Sequence, residues 1–379
     1  MKPRLLANVP LIQSDRKLEG LHGLRAVAAL SVALFHLQYI PSLAMTSWRA
    51  SLIAPLYLSV HLFFVVSAFS LYHSSRYAPA SYGAYLVKRF FRIAPLYYAM
   101  LAFVVWRLGF PGWPALLSNL TFTFNLVPGL EQSMVWAGWS VGVEMLFYLM
   151  LPVLLACFRG PVAYALLFLV AAAVSTVVWQ LTTGAPGLRE YYAYYSIAGN
   201  MPSFFAGLLA YSLFKILDPR KRQAWANGAF ALLSGAALAT AVFDPLGLQW
   251  RAAGLYFAFW GLSFGALCLW QALYPSSLMR TRPMQWIADR SFSIYLLHPA
   301  VIEVMRRGYA YLQNHGAPGG GWLYAVCLVM ALMLLLAVAQ VTYRLVELPG
   351  IAAGRRIAAR VNRRARGPRS SVAALEPER

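Results

Sequence analysis

Arg25 and His36 lie eleven residues apart in the apolar stretch GLHGLRAVAALSVALFH. On a helix they fall about 20° from a common face and about 16 Å apart along the axis. Ionisable residues within such a stretch are costly to bury and mark candidate functional positions. Arg25 would stand at one mouth of a membrane-crossing helix, with His36 toward the far side. An imidazole, with an ordinary pKa near 6.5, is suited to moving protons around neutrality. The run Trp139-Ser140-Val141-Gly142-Val143-Glu144 opens a helix that enters from the opposite surface, so Glu144 reaches a depth comparable to that of His36. Matching depth makes His36 and Glu144 a candidate catalytic pair, the carboxylate orienting the imidazole as in a triad. The alternative is an ion pair that only joins two helices. His61, midway along another apolar run, reads as a packing contact.

A second set of residues suits anions. Lys88, Arg89 and Arg92 precede Ile93-Ala94-Pro95-Leu96-Tyr97, where Pro95 fits the first turn of a helix. A helix N-terminus beside three cations is a good phosphate site, and Arg25 lies on the same side. In Ser291-Phe292-Ser293-Ile294-Tyr295-Leu296-Leu297-His298-Pro299, His298 is about two turns from that side and Pro299 is placed to kink the helix. Arg344 and Glu347 read as a local ion pair at a helix end. On the other side, the 109–138 loop holds Trp113, Asn119, Phe122, Phe124, Asn125, Glu131 and Trp136. Aromatic rings with amides suit sugar faces and hydroxyls, while interfacial anchoring is the other reading of the tryptophans. Cys157, Cys268 and Cys327 sit in apolar runs, with neither a disulfide framework nor metal spacing, so no metal is expected.

The elements that must position these residues are membrane helices. Of 379 residues, 60% are hydrophobic and only 12% charged, against about half and about a quarter in soluble domains. The apolar runs are continuous rather than alternating, which points to helices and not a barrel. The expected fold is an all-α polytopic membrane protein with about ten spans: 24–41, 51–73, 93–108, 140–158, 161–180, 195–214, 226–243, 252–274, 291–308 and 322–343. With both termini cytoplasmic, every Lys and Arg falls inside except Arg49, Arg107, Arg189, Arg251, Arg306 and Arg307. That asymmetry follows the positive-inside rule, and it accounts for the net charge of +20 without nucleic acid. The first run is too long, and too far from the N-terminus, for a cleavable signal. Residues 1–349 read as one transmembrane domain and 350–379 as a basic cytoplasmic tail that touches anionic lipid.

Taken in order, these segments resemble the acyltransferase-3 family of bacterial integral-membrane O-acyltransferases. LEGLHGLRAVAALSVALFH resembles the family's Arg-x10-His signature, and HLFFVVSAFSLY its Phe-Phe-Val-Leu-Ser-Gly-Phe stretch, with Ala68 at the usual glycine. KRFFRIAPLYY is similar to its Arg-x-x-Arg-Ile-x-Pro-x-Tyr motif, and WSVGVEMLFYLMLP to its Trp-Ser-Leu-Ser-Val-Glu-Glu-Gln-Phe-Tyr motif. SFSIYLLHP and YRLVELP resemble two C-terminal patches. Gly142 and Met145 replace a usual serine and second glutamate, leaving Glu144 as the acid there. The resemblance runs from Leu18 to Pro349 and suggests a stand-alone form without an appended hydrolase-like domain.

The resemblance implies an inner-membrane enzyme of a bacterium that moves an acyl group from cytoplasmic acyl-CoA, by default acetyl-CoA, to a hydroxyl of an extracytoplasmic carbohydrate, free or lipid-linked. His36 and Glu144 would be catalytic, by general-base transfer or through an acyl-histidine. Arg25, Lys88, Arg89, Arg92, Tyr97 and His298 would bind the donor. Trp113, Asn125, Trp136, Trp139 and Ser140 would bind the acceptor. A transporter or flippase for an anionic substrate is the alternative, and the absence of a visible repeat weighs against it.

Overall fold

The computed structural model describes residues 18–37, 53–77, 81–183, 192–217, 253–315 and 321–366. No β-strand occurs among them. Backbone amides in hydrocarbon must be satisfied within their own segment, and continuous apolar sequence does this as helix. Helix α1 spans Glu19–Leu37, α2 Ser59–Tyr77, α3 Tyr82–Leu108, α4 Trp113–Thr121, α5 Trp139–Cys157 and α6 Gly160–Thr182. Helix α7 spans Ile197–Phe214, α8 Ala253–Leu273, α9 Arg282–Asp289, α10 Ser291–Asn314, α11 Gly321–Thr342 and α12 Leu348–Arg366. Local chemistry sets several starts. Ser81 caps α3 by accepting from the Ala84 N–H, and Ser196 caps α7 through Gly199.

Among the described residues, eight stretches are long and apolar enough to cross a membrane: Glu19–Leu37, Ala54–Ser75, Tyr82–Leu108, Trp139–Cys157, Gly160–Thr182, Ile197–Phe214, Gly254–Leu273 and Ala325–Arg363. They correspond to eight of the ten spans expected. The expected span 226–243 lies outside the described residues. The expected span 291–308 falls in α10, a 24-residue helix long enough to cross. Glu303, Arg306 and Arg307 make it less apolar than the eight.

Helices α1, α2, α7 and α8 pack together at the centre, flanked by α5, α6 and α10. Phe64, Phe147 and Phe204 stack in the core, with centroids 4.7 Å (Phe64–Phe204) and 4.1 Å (Phe147–Phe204) apart. Helix α6 turns Leu166, Val170, Val174 and Val177 outward, the arrangement expected where hydrocarbon is the solvent. The segment expected as a tail from residue 350 continues as helix to Arg366 and lies against α3. Residues 367–379 lie outside the described residues.

Candidate active site

Two chambers are built around α1. The one at the His36 end, called outer after the sidedness that the charge pattern predicts, is about 730 Å³ and lined by His36 with Tyr57, Trp136, Trp139, Trp179, Tyr194, Tyr256, Phe257, Tyr295 and Glu303. The inner one, about 560 Å³, is lined by Arg25, Arg89, Arg92 and Arg355 together with His22, His73, Asp289 and Tyr343. Arg25 and His36 thus face different chambers from one helix, as their spacing predicts.

His36, which lines the outer chamber, is paired with His298, which is buried behind it. His298 Nε2 lies 3.1 Å from His36 Nδ1, and the ring centroids are 4.7 Å apart. His36 Nδ1 is also 2.9 Å from the Val32 carbonyl one turn back. On the other helix, Pro299 has no N–H to offer the Tyr295 carbonyl four residues earlier. That carbonyl instead lies 2.5 Å from His298 Nδ1. A carbonyl only accepts, so His298 Nδ1 carries a hydrogen. In a neutral imidazole its Nε2 is then an acceptor. It follows that His36 Nδ1 holds the proton shared toward Val32 and His298, and His36 Nε2 is the unprotonated nitrogen. Tyr295 lines the same chamber, and its hydroxyl is 2.7 Å from Ser140 Oγ.

Glu144 does not occupy the orienting position expected of it beside His36, where His298 stands. Its carboxylate accepts from Ser67 Oγ at 2.5 Å and from the Tyr148 hydroxyl. Glu144 is within electrostatic range of Arg25, in the inner chamber, and of Tyr295, in the outer one, so this trio stands between the two. The Arg89 guanidinium lies 5.8 Å from the Tyr85 ring centroid and 5.9 Å from that of Tyr148. At the chamber's rim Asp289 is held by His22 Nε2 at 2.8 Å. Arg25 Nε donates to Ser291 Oγ at 3.4 Å.

The other expected site residues divide sharply. His298, expected with the donor, is instead the partner of His36. Tyr97, also expected with the donor, is fully buried, and its hydroxyl bonds to Asn119 Oδ1 at 2.7 Å and lies 2.9 Å from Ser133 Oγ. It secures the 109–138 segment, because it lies beyond Arg89 and Arg92 on α3 by one to two turns. Lys88 lines a neighbouring cleft of about 640 Å³ with Arg89, Arg159 and Lys215. Of the acceptor candidates, Trp136 and Trp139 line the outer chamber, and Ser140 reaches it through Tyr295. Trp113 is exposed beside Phe110 and lines neither chamber. Asn125 is fully buried, with Nδ2 facing the carbonyls of Glu131, Trp139 and Tyr195 at 3.2, 3.0 and 2.7 Å. It is a structural clamp for the outer segment.

The sequence by itself does not single out Ser67, Tyr148 or Tyr295. Tyr148 stands four residues after Glu144 and Tyr295 three before His298, spacings that put each pair on one helix face. Gly142, at the usual serine position, also gains a reason. A Cβ there would meet Asn125 Oδ1 at 2.0 Å and the Phe124 ring at 2.5 Å. Gly142→Ala is therefore expected to destabilise the protein by about 1–3 kcal/mol through overpacking. A lowered Tm of the detergent-solubilised variant checks this, and an unchanged Tm contradicts it.

Residues 18–341 match the profile of the family described as Acyltransferase domain, Acyl_transf_3. The chain is 24% identical over 324 residues to the peptidoglycan O-acetyltransferase OatA of Listeria monocytogenes, an overlap covering 77% of this chain and 50% of the relative. It is 25% identical over 336 residues to YrhL of Bacillus subtilis, provisionally named a peptidoglycan O-acetyltransferase, covering 76% of this chain and 49% of the relative. The chain thus spans about half the length of the curated relatives it matches. No solved structure matches it.

Proposed function

Since the chain belongs to the Acyl_transf_3 family of acyltransferase domains, we propose that it is a membrane O-acetyltransferase that takes its acyl group from acetyl-CoA at the inner chamber and delivers it to a carbohydrate hydroxyl at the outer one. The observation that carries this reading is the division of labour along α1. Four arginines surround the chamber at Arg25, and a tautomer-fixed histidine opens into an aromatic chamber at His36. The membrane is the cytoplasmic membrane of a bacterium, with both termini on the donor side. Peptidoglycan, named in the relatives, is one acceptor to test beside exopolysaccharide and lipopolysaccharide repeats.

In this reading Arg25, Arg89 and Arg92 hold the donor's phosphates, because guanidinium groups bind phosphate bidentately and stay charged. The pantetheine arm runs along the helix past the Glu144 trio, bringing the thioester to the outer chamber. His36 Nε2 takes the proton of the acceptor hydroxyl as its oxygen attacks the thioester carbonyl. The new C–O bond forms, the C–S bond breaks, and the imidazolium returns its proton to the departing thiolate. Tyr295, backed by Ser140, supplies a donor toward the developing oxyanion. Aromatic walls such as Trp136, Trp139 and Tyr194 suit the apolar faces of a sugar ring.

Purified protein incubated with labelled acetyl-CoA, scored for CoA release and for labelled glycan, tests the assignment. Release stimulated by a glycan is expected, and no release with any glycan contradicts it. Within this assay Arg92→Ala should mainly raise the KM for acetyl-CoA. One charge-assisted phosphate contact at about 1.5–3 kcal/mol corresponds to about a tenfold to hundredfold rise. An unchanged KM in an inserted variant would leave Arg92 a purely topogenic charge.

A further inference from the structure

The inner chamber is not closed by the family-matched region alone. Its wall includes Leu348, Ile351, Ala352 and Arg355, all beyond residue 341 where that match ends. These four stand at i, i+3, i+4 and i+7 of α12, so one stripe of the helix faces the chamber. The neighbouring stripe fixes α12 against α3. A Cβ on Gly350 would come within 2.7 Å of the Phe91 carbonyl oxygen, and one on Gly354 within 2.6 Å of Phe91 Cβ. One turn past Ala358, Asn362 Oδ1 accepts from the Ser81 N–H at 3.0 Å and from Ser81 Oγ at 2.7 Å. At its start, α12 follows a π-helical turn, Tyr343–Glu347, whose buried Glu347 accepts from Ser293. The helix is thus pinned at both ends, which fixes the backbone that carries Arg355 into the chamber wall.

From this placement we propose that α12 is a fixed wall of the donor site and that Arg355 is a phosphate-binding residue of that site, acting beside Arg25, Arg89 and Arg92. The proposal rests on the donor reading above. It deepens that reading by drawing a ligand from a segment outside the family match. Four guanidinium groups line the chamber against one carboxylate, Asp289, which His22 holds, so the lining carries a net positive charge. A nucleotide carrying several phosphates has the charge to match them. Arg356, next in sequence and as exposed as Arg355, lies outside the chamber lining, so it serves as the control.

The test is CoA binding to the full-length protein in nanodiscs, by calorimetry. Arg355→Ala should weaken binding about tenfold or more, the loss typical of one charge-assisted contact. Arg355→Lys should recover part of it, keeping the charge but not the fork. Arg356→Ala should bind as wild type. Undiminished affinity in Arg355→Ala, while Arg92→Ala is impaired, would overturn the role of Arg355 and leave the donor site standing. A wild-type protein that does not bind CoA would overturn the donor site and this proposal together. Anionic lipid in the nanodisc should leave the ratio between wild type and Arg355→Ala unchanged. A ratio that collapses there would identify a lipid headgroup as the ligand and overturn the proposal.

Discussion

His36→Ala is expected to insert, to bind CoA with wild-type affinity and to lose acetyl transfer by a factor of about 10² to 10⁴, the usual contribution of a general base. The separation follows from α1 itself. Arg25 binds at one chamber and His36 acts at the other, about 16 Å along the same helix. Single-turnover transfer from labelled acetyl-CoA reads the chemical step, and CoA calorimetry reads the donor site. A structural histidine would give the opposite pattern, a lowered Tm with full specific activity in the surviving protein. Full specific activity in His36→Ala would end both the general-base role and any acyl-histidine route.

His298→Phe should keep the ring volume against His36 and remove both of its hydrogen bonds. Removing this acceptor loosens the His36 imidazole, although the Val32 carbonyl still holds Nδ1. The expected cost is about tenfold to hundredfold in kcat, that of one hydrogen bond to a group becoming charged in the transition state. The KM for acetyl-CoA should stay near wild type. His298→Gln, whose amide offers an acceptor and a donor, should recover part of kcat. A raised KM with normal kcat would return His298 to the donor site, and a lowered Tm alone would make it structural.

What could be read without coordinates was whatever a single helix determines. The shared face of Arg25 and His36, the apolar runs and the clustering of Arg89 with Arg92 are local consequences of 3.6-residue periodicity. The pairings between helices were not local. Depth pairs His36 with Glu144, but depth says nothing about which way a side chain faces around its axis. His298 stands about two turns from the start of α10 in sequence and structure alike, and only the packing of α10 against α1, with Ser291 meeting Arg25, shows that it reaches His36. The Arg-x-x-Arg-Ile-x-Pro-x-Tyr resemblance joins Tyr97 to Arg92, yet five residues of helix carry it about 7 Å further along α3. Asn125 has the composition of a sugar-binding residue, and only the three carbonyls around it reveal a clamp. Arg355 lay in a segment whose charge alone suggested a solvated tail.

The central claim is that donor and acceptor meet across the membrane, each from its own side. Reconstituting the protein in liposomes in one known orientation, with acetyl-CoA confined to one compartment and the glycan to the other, tests it most directly. Labelled glycan should form only when acetyl-CoA is on the side of Arg89 and Arg92 and the glycan on the side of Trp136. Transfer that requires donor and acceptor in the same compartment would contradict the account.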